Sequence, residues 1–186
     1  MRAVSHRRRL ARGNALIEFT LVGIPIMFVL ISVFEVSRAF WQYDTFGHAL
    51  REGARYASVH SNNCGVFPNF CTTSVADVAD RIMFQGAGIW PPDVQQVEFI
   101  WGDADTGTVA FTCTTLENCL SGGSQRAAAA AMPWPEGQPG GMASRPVTIR
   151  AEYQFRTAIA MFWPGSAPVS VGAFELPASS TEMVHY

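Results

Sequence analysis

Residues 15–34 read ALIEFTLVGIPIMFVLISVF, a run of twenty residues in which Glu18 is the single charge. In a helix, twenty residues extend about 30 Å, which matches the hydrocarbon core of a bilayer. The run therefore predicts one membrane-spanning helix. A cleaved secretory signal is the alternative, but such a signal has a shorter apolar core that ends at small residues. Here the run continues into the bulky and charged VFEVSRAFWQY, so we expect the helix to remain as an anchor.

Charge is distributed unevenly along the chain. Five of the 13 basic residues, all Arg, lie within the first twelve positions, and the first acidic residue is Glu18. Arg directly before a span marks its cytoplasmic end, so we expect a cytoplasmic N-terminus and a periplasmic or extracellular C-terminal part. From residue 14 onward, the other eight Arg stand against all 15 acidic residues, a formal charge of −7. A nucleic-acid partner would need a basic face and is not expected.

Two residues are unusual for a simple anchor. Pro25 removes a helix hydrogen bond and predicts a kink near the middle of the span. An ionisable side chain such as Glu18 costs about 2.5 to 3.5 kcal/mol at the centre of a span and normally has a partner. Either Glu18 lies in the headgroup layer, or a cation neutralises it.

The residues before the span read RRRLARG and then NALIEF, which places Gly13 five positions before Glu18. Cleavage after Gly13 would make Asn14 the first residue and Glu18 the fifth, so that a new amine would accompany a desolvated carboxylate. Gly at the cleaved position lets a peptidase approach the backbone closely. This arrangement resembles the signature of type IV prepilins, in which the glutamate pairs with the amine of a neighbouring subunit. The resemblance implies processing at Gly13–Asn14 and an assembly role for Glu18.

Residues 7–58 resemble more specifically the TadE-like family of the Tad (tight adherence) pilus system. The resemblance is looser over 147–186 and absent between these segments, and Asn14 replaces a residue that is commonly small and apolar in the family. The matching residues are Gly13, Glu18, Phe19, Pro25, Glu35, Arg38 and the segment Arg51, Glu52, Gly53, Ala54, Arg55, Tyr56, Ala57.

The resemblance implies a structural protein of the bacterial inner membrane and not an enzyme. The protein would be a minor pilin or pseudopilin that prepilin peptidase cleaves after Gly13 and that the Tad (Flp) pilus needs for assembly or priming. Implied partners are TadE-like and TadF-like pseudopilins, the major Flp pilin, the inner-membrane platform and the peptidase. Cell adhesion and biofilm formation would follow from assembly, and no cofactor or small-molecule substrate is implied.

Other functions remain as alternatives. A single-pass membrane protein that binds a ligand or envelope component would also have this anchor. A type II secretion pseudopilin would resemble Gly-Phe-Thr-Leu-x-Glu at the cleavage site, which this chain does not match. The motifs G-x-S-x-G, H-E-x-x-H and G-x-x-x-x-G-K-S/T do not occur in the sequence, in line with a protein that is not an enzyme.

After the span, a helical pattern continues to about residue 60, so the sequence divides into a basic leader (1–13), a helix (14–60) and an extracytoplasmic domain (61–186). Small residues on the later part of the helix permit close packing, either against the protein's own sheet or against neighbouring subunits. Arg51, Glu52 and Arg55 have the spacing of an exposed ion pair, and contacts with neighbouring subunits are the alternative. The apolar pattern consists of Val36, Phe40, Tyr43, Gly47, Leu50, Ala54 and Ala57.

The sequence of the extracytoplasmic domain predicts a small antiparallel sheet. With the long helix packed on this sheet, the fold class is α+β. Residues 60–73 are a turn-rich break, and 121–146, rich in Gly, Ala and Pro, predicts an exposed, flexible loop with a helical turn at 127–132. A short helix over 74–85 has Ser74 as its N-cap. Strands are predicted at 96–101 and 108–112 (a hairpin), at 147–155 with alternate residues buried, and as one or two final strands after the turn at 164–168.

Cys64, Cys71, Cys113 and Cys119 all follow the span. An oxidising compartment would let them form disulfides in any of three pairings. We favour the local pairs 64–71 and 113–119, because each flanks a turn-rich stretch. A metal site is the weaker alternative, because no C-x-x-C pair is present. Asp77 with Asp80, and Asp103 with Asp105, are interpreted as surface and turn residues and not as acid–base or calcium sites.

Overall fold

A computed structural model describes residues 4–60, 73–135, 145–157 and 173–184, and it describes side chains from residue 16 onward. The chain divides into two compact units, Met1–Phe40 and Trp41–Tyr186. Helix α1, Val4–His60, contributes to both. It begins within the Arg-rich leader and continues to the end of the helix predicted at 14–60.

The first unit consists of the N-terminal part of α1, with Pro25 inside the helix. From Leu16 the helix is long and apolar enough to cross a membrane. None of its eighteen most apolar consecutive residues is buried by the rest of the chain. Polar side chains in this part satisfy themselves locally, because the Ser32 hydroxyl donates to the Phe28 carbonyl at 2.8 Å and the Ser37 hydroxyl to the Val33 carbonyl at 2.8 Å. A single helix with this exposed apolar surface suggests membrane anchoring.

The second unit joins the C-terminal part of α1 to a four-stranded antiparallel sheet of order β2-β1-β3-β4. The predicted α+β class is therefore confirmed. Its further elements are α2 (Val75–Gln85), a 3-10 turn (Pro91–Asp93), β1 (Val94–Trp101), β2 (Thr108–Thr115), α3 (Leu116–Cys119), α4 (Arg126–Ala131), β3 (Pro146–Arg156) and β4 (Ala173–Met183).

Strand β3 shows the alternation that the sequence predicts. Its odd-numbered residues are buried, as expected for a strand with one face on the core. Thr148, on the other face, is also buried, and its hydroxyl is satisfied there, because it donates to the Gly102 carbonyl at 2.7 Å and is 2.8 Å from the Thr181 hydroxyl. The buried odd-numbered residues are Val147, Ile149, Ala151, Tyr153 and Phe155.

Helix α1 packs on this sheet through a face that differs in part from the predicted one. Phe46 contacts Tyr153, with ring centroids 5.7 Å apart. The predicted Leu50, Ala54 and Ala57 are fully buried, together with Phe46 and Ala49, which the pattern did not include. The earlier members Val36, Phe40 and Tyr43 are exposed. The small residues Ala54 and Ala57 therefore serve internal packing.

Helix α2 begins as the sequence predicts. Ser74 is the N-cap, its hydroxyl accepts from the Asp77 amide, and the Asp77 carboxylate accepts from the Ser74 amide at 3.0 Å. This reciprocal capping box satisfies two backbone donors that a helix start otherwise leaves unpaired. The carboxylate of Asp77 therefore has a structural role.

Within the loop expected over 121–146, the helical turn predicted at 127–132 is confirmed, whereas the expectation of exposure is wrong for Ala129 and Trp134. Arg126–Ala131 forms helix α4, and Ala129 and Trp134 are fully buried. The indole ring of Trp134 meets the ring of Phe99 edge-on, with centroids 5.2 Å apart. The Ala-rich stretch forms a helix because Ala has the highest helix propensity, and its small side chains let it pack closely. Residues 136–144 lie outside the described residues.

The predicted hairpin is present. Strands β1 and β2 pair antiparallel, with Phe99 opposite Phe111 and Trp101 opposite Thr108. The predicted final strand is one continuous strand, β4, which pairs with β3 along its whole length. The turn-rich break predicted at 60–73 lies almost wholly outside the described residues.

Candidate functional site

The proposed processing and assembly residues lie on α1. Gly13 and Asn14 are within the helix, ahead of the residues whose side chains are described. Glu18 is exposed, and within the described part of the chain no ion pair to it is present. Both explanations of Glu18 therefore remain, a place in the headgroup layer or a cation from outside this set of residues.

Glu35 and Arg38, the second element of the family pattern, form an ion pair one turn apart on α1. Arg38 Nη2 lies 3.3 Å from Glu35 Oε2, and the two side chains are 32% and 7% exposed. A carboxylate this buried is costly unless a cation or hydrogen-bond donor accompanies it. The pairing gives the Glu-x-x-Arg spacing a structural reason, because residues three apart meet on one face of a helix.

The segment Arg51–Arg55 presents different residues to different sides of α1. Arg51 and Arg55 are exposed, and Arg55 Nη1 lies 3.6 Å from Glu52 Oε1, so the predicted ion pair is present. Gly53 and Ala54 are buried. A β-carbon on Gly53 would lie 2.5 Å from Cγ1 of Ile82 in α2. Gly at this position lets α1 and α2 approach each other closely.

A groove of about 470 Å³ lies within the second unit, between α1 and β4. Tyr43, Gly47 and Arg51, which are four residues apart, line the helix side, and Ser179 and Ser180 lie on the strand side. No heavy atom lies within 4 Å of the position that a β-carbon on Gly47 would take, so this Gly leaves the groove open. Asp44 and His48 also line the groove.

The charge within the groove is partly neutralised. Arg150, which lines it, donates from Nε and Nη2 to Glu98 Oε2 at 2.8 and 2.6 Å and from Nη1 to the Ala104 carbonyl at 3.3 Å. Arg51 and His48 have no ion pair within the described residues. The groove thus offers a fixed, paired guanidinium beside the exposed side chains of Arg51, His48 and Asp44.

The carboxylates considered for chemistry have other roles. Asp77 caps α2, and Asp80 Oδ2 lies 2.9 Å from Arg126 Nη2. Asp103 and Asp105 are exposed in the turn between β1 and β2. Among the residues that the structure describes, no cluster of three His, Cys, Asp or Glu could hold a metal ion.

A disulfide joins Cys113 at the end of β2 to Cys119 at the end of α3, with Cα atoms 6.0 Å apart. This is one of the two local pairs that we favour. Both cysteines are fully buried. The other predicted pair, Cys64 with Cys71, falls outside the described residues.

Some structurally important residues carry no signal in the sequence. Gln125 is an example, because its side-chain oxygen accepts from the Thr114 amide at 2.9 Å and its nitrogen donates to the Thr112 carbonyl at 3.3 Å. These bonds occupy the outer edge of β2, which is otherwise open to pairing with another strand. Ser179 and Ser180 reach the groove only because β4 pairs with β3.

The fold and these features define a class: a single apolar N-terminal helix carrying one small α+β unit. The family model described as TadE-like protein matches residues 13–55. This N-terminal segment is therefore TadE-like, as the resemblance predicted. The TadE-like family is a family of pilus-associated structural proteins and not of enzymes. No curated protein and no solved structure matches the chain.

Proposed function

We propose that the chain is a minor pilin, or pseudopilin, that the Tad (Flp) pilus needs for assembly or priming. The observation that carries this proposal is the helix itself. The rest of the chain does not cover its most apolar eighteen residues, and Glu18, in the apolar run, has no cation partner among the described residues. Lipid covers an apolar surface of this kind, but a carboxylate within it calls for a cation, which another chain can supply.

Processing after Gly13 belongs to the same proposal. The family match begins at residue 13, and cleavage there produces an amine at Asn14. This amine is a suitable cation for Glu18 of a neighbouring subunit, because two opposite charges paired in a low-dielectric environment cost less than either alone. Prepilin peptidase would be the processing enzyme.

The proposed location is the bacterial inner membrane, with the Arg-rich leader in the cytoplasm and the second unit in the periplasm or outside the cell. Arg before the span supports this orientation. The Cys113–Cys119 disulfide supports an oxidising compartment for the second unit. The proposed partners are TadE-like and TadF-like pseudopilins, the major Flp pilin, the inner-membrane platform and the peptidase, with adhesion and biofilm formation as downstream roles.

The first test is mass spectrometry of N-terminal peptides from the membrane-bound protein, in hosts with and without a functional prepilin peptidase. We expect a start at Asn14 that depends on the peptidase. An unprocessed N-terminus in both hosts would contradict the proposal.

The second test replaces Glu18 by Gln, which keeps the size of the side chain and removes its charge. We expect loss of pilus assembly at a normal protein level. Glu117→Gln, at an exposed position in α3, is the matched control and should leave assembly unchanged. Normal assembly with Glu18→Gln would exclude the charge-pairing role.

The groove between α1 and β4 favours a second candidate function, a membrane-anchored protein that binds a ligand or envelope component. Its volume of about 470 Å³ and its lining of Arg, His, Asp and Ser side chains would suit a small polar group. In that case the Glu18→Gln protein should assemble pili normally, while Arg51→Ala should reduce binding of the envelope component. These two variants therefore separate the candidate functions.

A further inference from the structure

One end of the second unit carries exposed aromatic side chains. Trp41, Trp90 and Phe174 are 54%, 65% and 59% exposed. Exposed Trp is unusual on a protein surface, because the ring is large and apolar, unless the surface meets a partner or a membrane.

Contacts within the unit place Trp41 against the turn that leads to Trp90. A β-carbon on Gly88 would lie 2.7 Å from Cη2 of Trp41, so the turn that follows α2 packs directly on this indole ring. Trp90 is two residues beyond Gly88 in the same turn. Gly88 has a φ of +80°, a conformation that Gly adopts readily and that lets the turn approach the ring.

Strand register places Phe174 at the same end. Val94, four residues after Trp90, pairs with Tyr153. Phe174 pairs with Phe155, two residues further along β3 in the same direction. Along α1, Phe46 contacts Tyr153, whereas Gly53 faces Ile149. Going along β3 from Ile149 to Phe155 therefore leads to the same end of the unit as going back along α1 from Gly53 toward Trp41. Phe174 lies at that end.

Trp41 follows Phe34, the last residue of the predicted span, by seven residues of α1. Seven helical residues extend about 10 Å, somewhat more than the roughly 5 to 7 Å of one headgroup layer, but helical side chains lean back toward the N-terminus, so the ring of Trp41 can reach this layer. We propose that this end of the second unit docks on the bilayer, with the indole rings of Trp41 and Trp90 in the interfacial layer of the lipid. The inference rests on the membrane anchoring of α1.

The chemistry of the two Trp residues fits this partner. An indole ring combines an apolar body with one N–H donor, and Trp is enriched where the hydrocarbon meets the headgroups. At the same end, Arg156 Nη2 lies 2.7 Å from Asp93 Oδ1, so the carboxylate of Asp93 is neutralised. Docking would hold the second unit at a fixed height on the membrane.

The test uses the full chain in lipid nanodiscs that contain lipids brominated either near the headgroup or near the end of the acyl chain. Bromine quenches Trp emission at short range. The emission of Trp90 is obtained by subtracting the spectrum of the Trp90→Phe variant from that of the parent. We expect this difference emission to be quenched by bromine near the headgroup and less by bromine near the chain end.

Trp101→Phe is the matched control, because Trp101 lies at the opposite end of β1 from Val94. Its difference emission should not be quenched. If Trp90 emission is also unquenched in chains that co-migrate with the discs, the docking proposal is wrong while the anchor stands. If the chains neither enter discs nor float with vesicles, the membrane anchor itself is wrong.

Discussion

Cγ1 of Ile82 lies 2.5 Å from the position that a β-carbon on Gly53 would take, and Cδ1 of Ile149 lies 3.4 Å from it. Gly53 thus faces α2 and the sheet at once. The next small residues of the segment, Ala54 and Ala57, are fully buried. The Gly and Ala residues of the segment that resembles the TadE-like family therefore hold α1 against its own domain, and the Arg residues beside them remain on the surface.

Replacing Gly53 by Ala should destabilise the second unit. Ala gains about 1 kcal/mol of helix propensity over Gly, but overpacking a core costs about 1 to 3 kcal/mol, and a β-carbon this close to Ile82 cannot be accommodated without movement. Gly47→Ala is the matched control, because open space surrounds that position, and it should raise stability. Thermal unfolding of both full-length variants in detergent, followed by circular dichroism, measures the difference. Melting temperatures that shift in the same direction would contradict this account.

Removing the disulfide with Cys113→Ala and Cys119→Ala should lower the free energy of unfolding by about 2 kcal/mol, since the bond closes a short loop. The two cysteines are six positions apart and fully buried. Urea unfolding of the full-length double variant, followed by Trp fluorescence, measures this change. An unchanged midpoint would mean that the bond does not constrain the unfolded chain.

The elements that the sequence predicted correctly depend on local rules. The alternation in β3 follows from its two faces, and the start of α2 follows from the side-chain chemistry of Ser74 and Asp77. The helix of the first unit was predicted from length and apolar composition alone.

Features that the sequence did not predict depend on distant partners. Trp134 lies among Gly, Ala and Pro residues that are typical of a loop, and its burial becomes evident only from its contact with Phe99 on β1. The groove likewise requires Tyr43 of α1 and Ser179 of β4 to meet, which the pairing of β4 with β3 determines. Local patterns carry no information on such contacts.

Trp134→Ala should destabilise the second unit strongly, because replacing a buried aromatic residue by Ala typically costs about 3 to 5 kcal/mol. Trp90→Ala removes an equally large side chain from an exposed position and should change stability by about 0.5 kcal/mol or less. Urea unfolding of the two full-length variants, followed by circular dichroism, compares them. Equal effects would mean that residues 126–135 do not pack on the core.

Arg51→Ala should separate assembly from stability. Arg51 is exposed, lines the groove and has no ion pair within the described residues, so its loss should change the free energy of unfolding by about 0.5 kcal/mol or less. If Arg51 contacts a neighbouring subunit, assembled pili should decrease while the melting temperature stays the same.

Arg126→Ala is the contrasting variant. Its guanidinium lies 2.9 Å from Asp80 and donates to the Ala76 and Cys119 carbonyls, each at 3.2 Å.

Loss of these bonds should destabilise the second unit by about 1 to 3 kcal/mol. Electron microscopy of pili and thermal unfolding of the purified chains provide the two measurements. Normal numbers of pili with Arg51→Ala would show that Arg51 does not contribute to assembly. Arg51 would then be a residue of the groove alone.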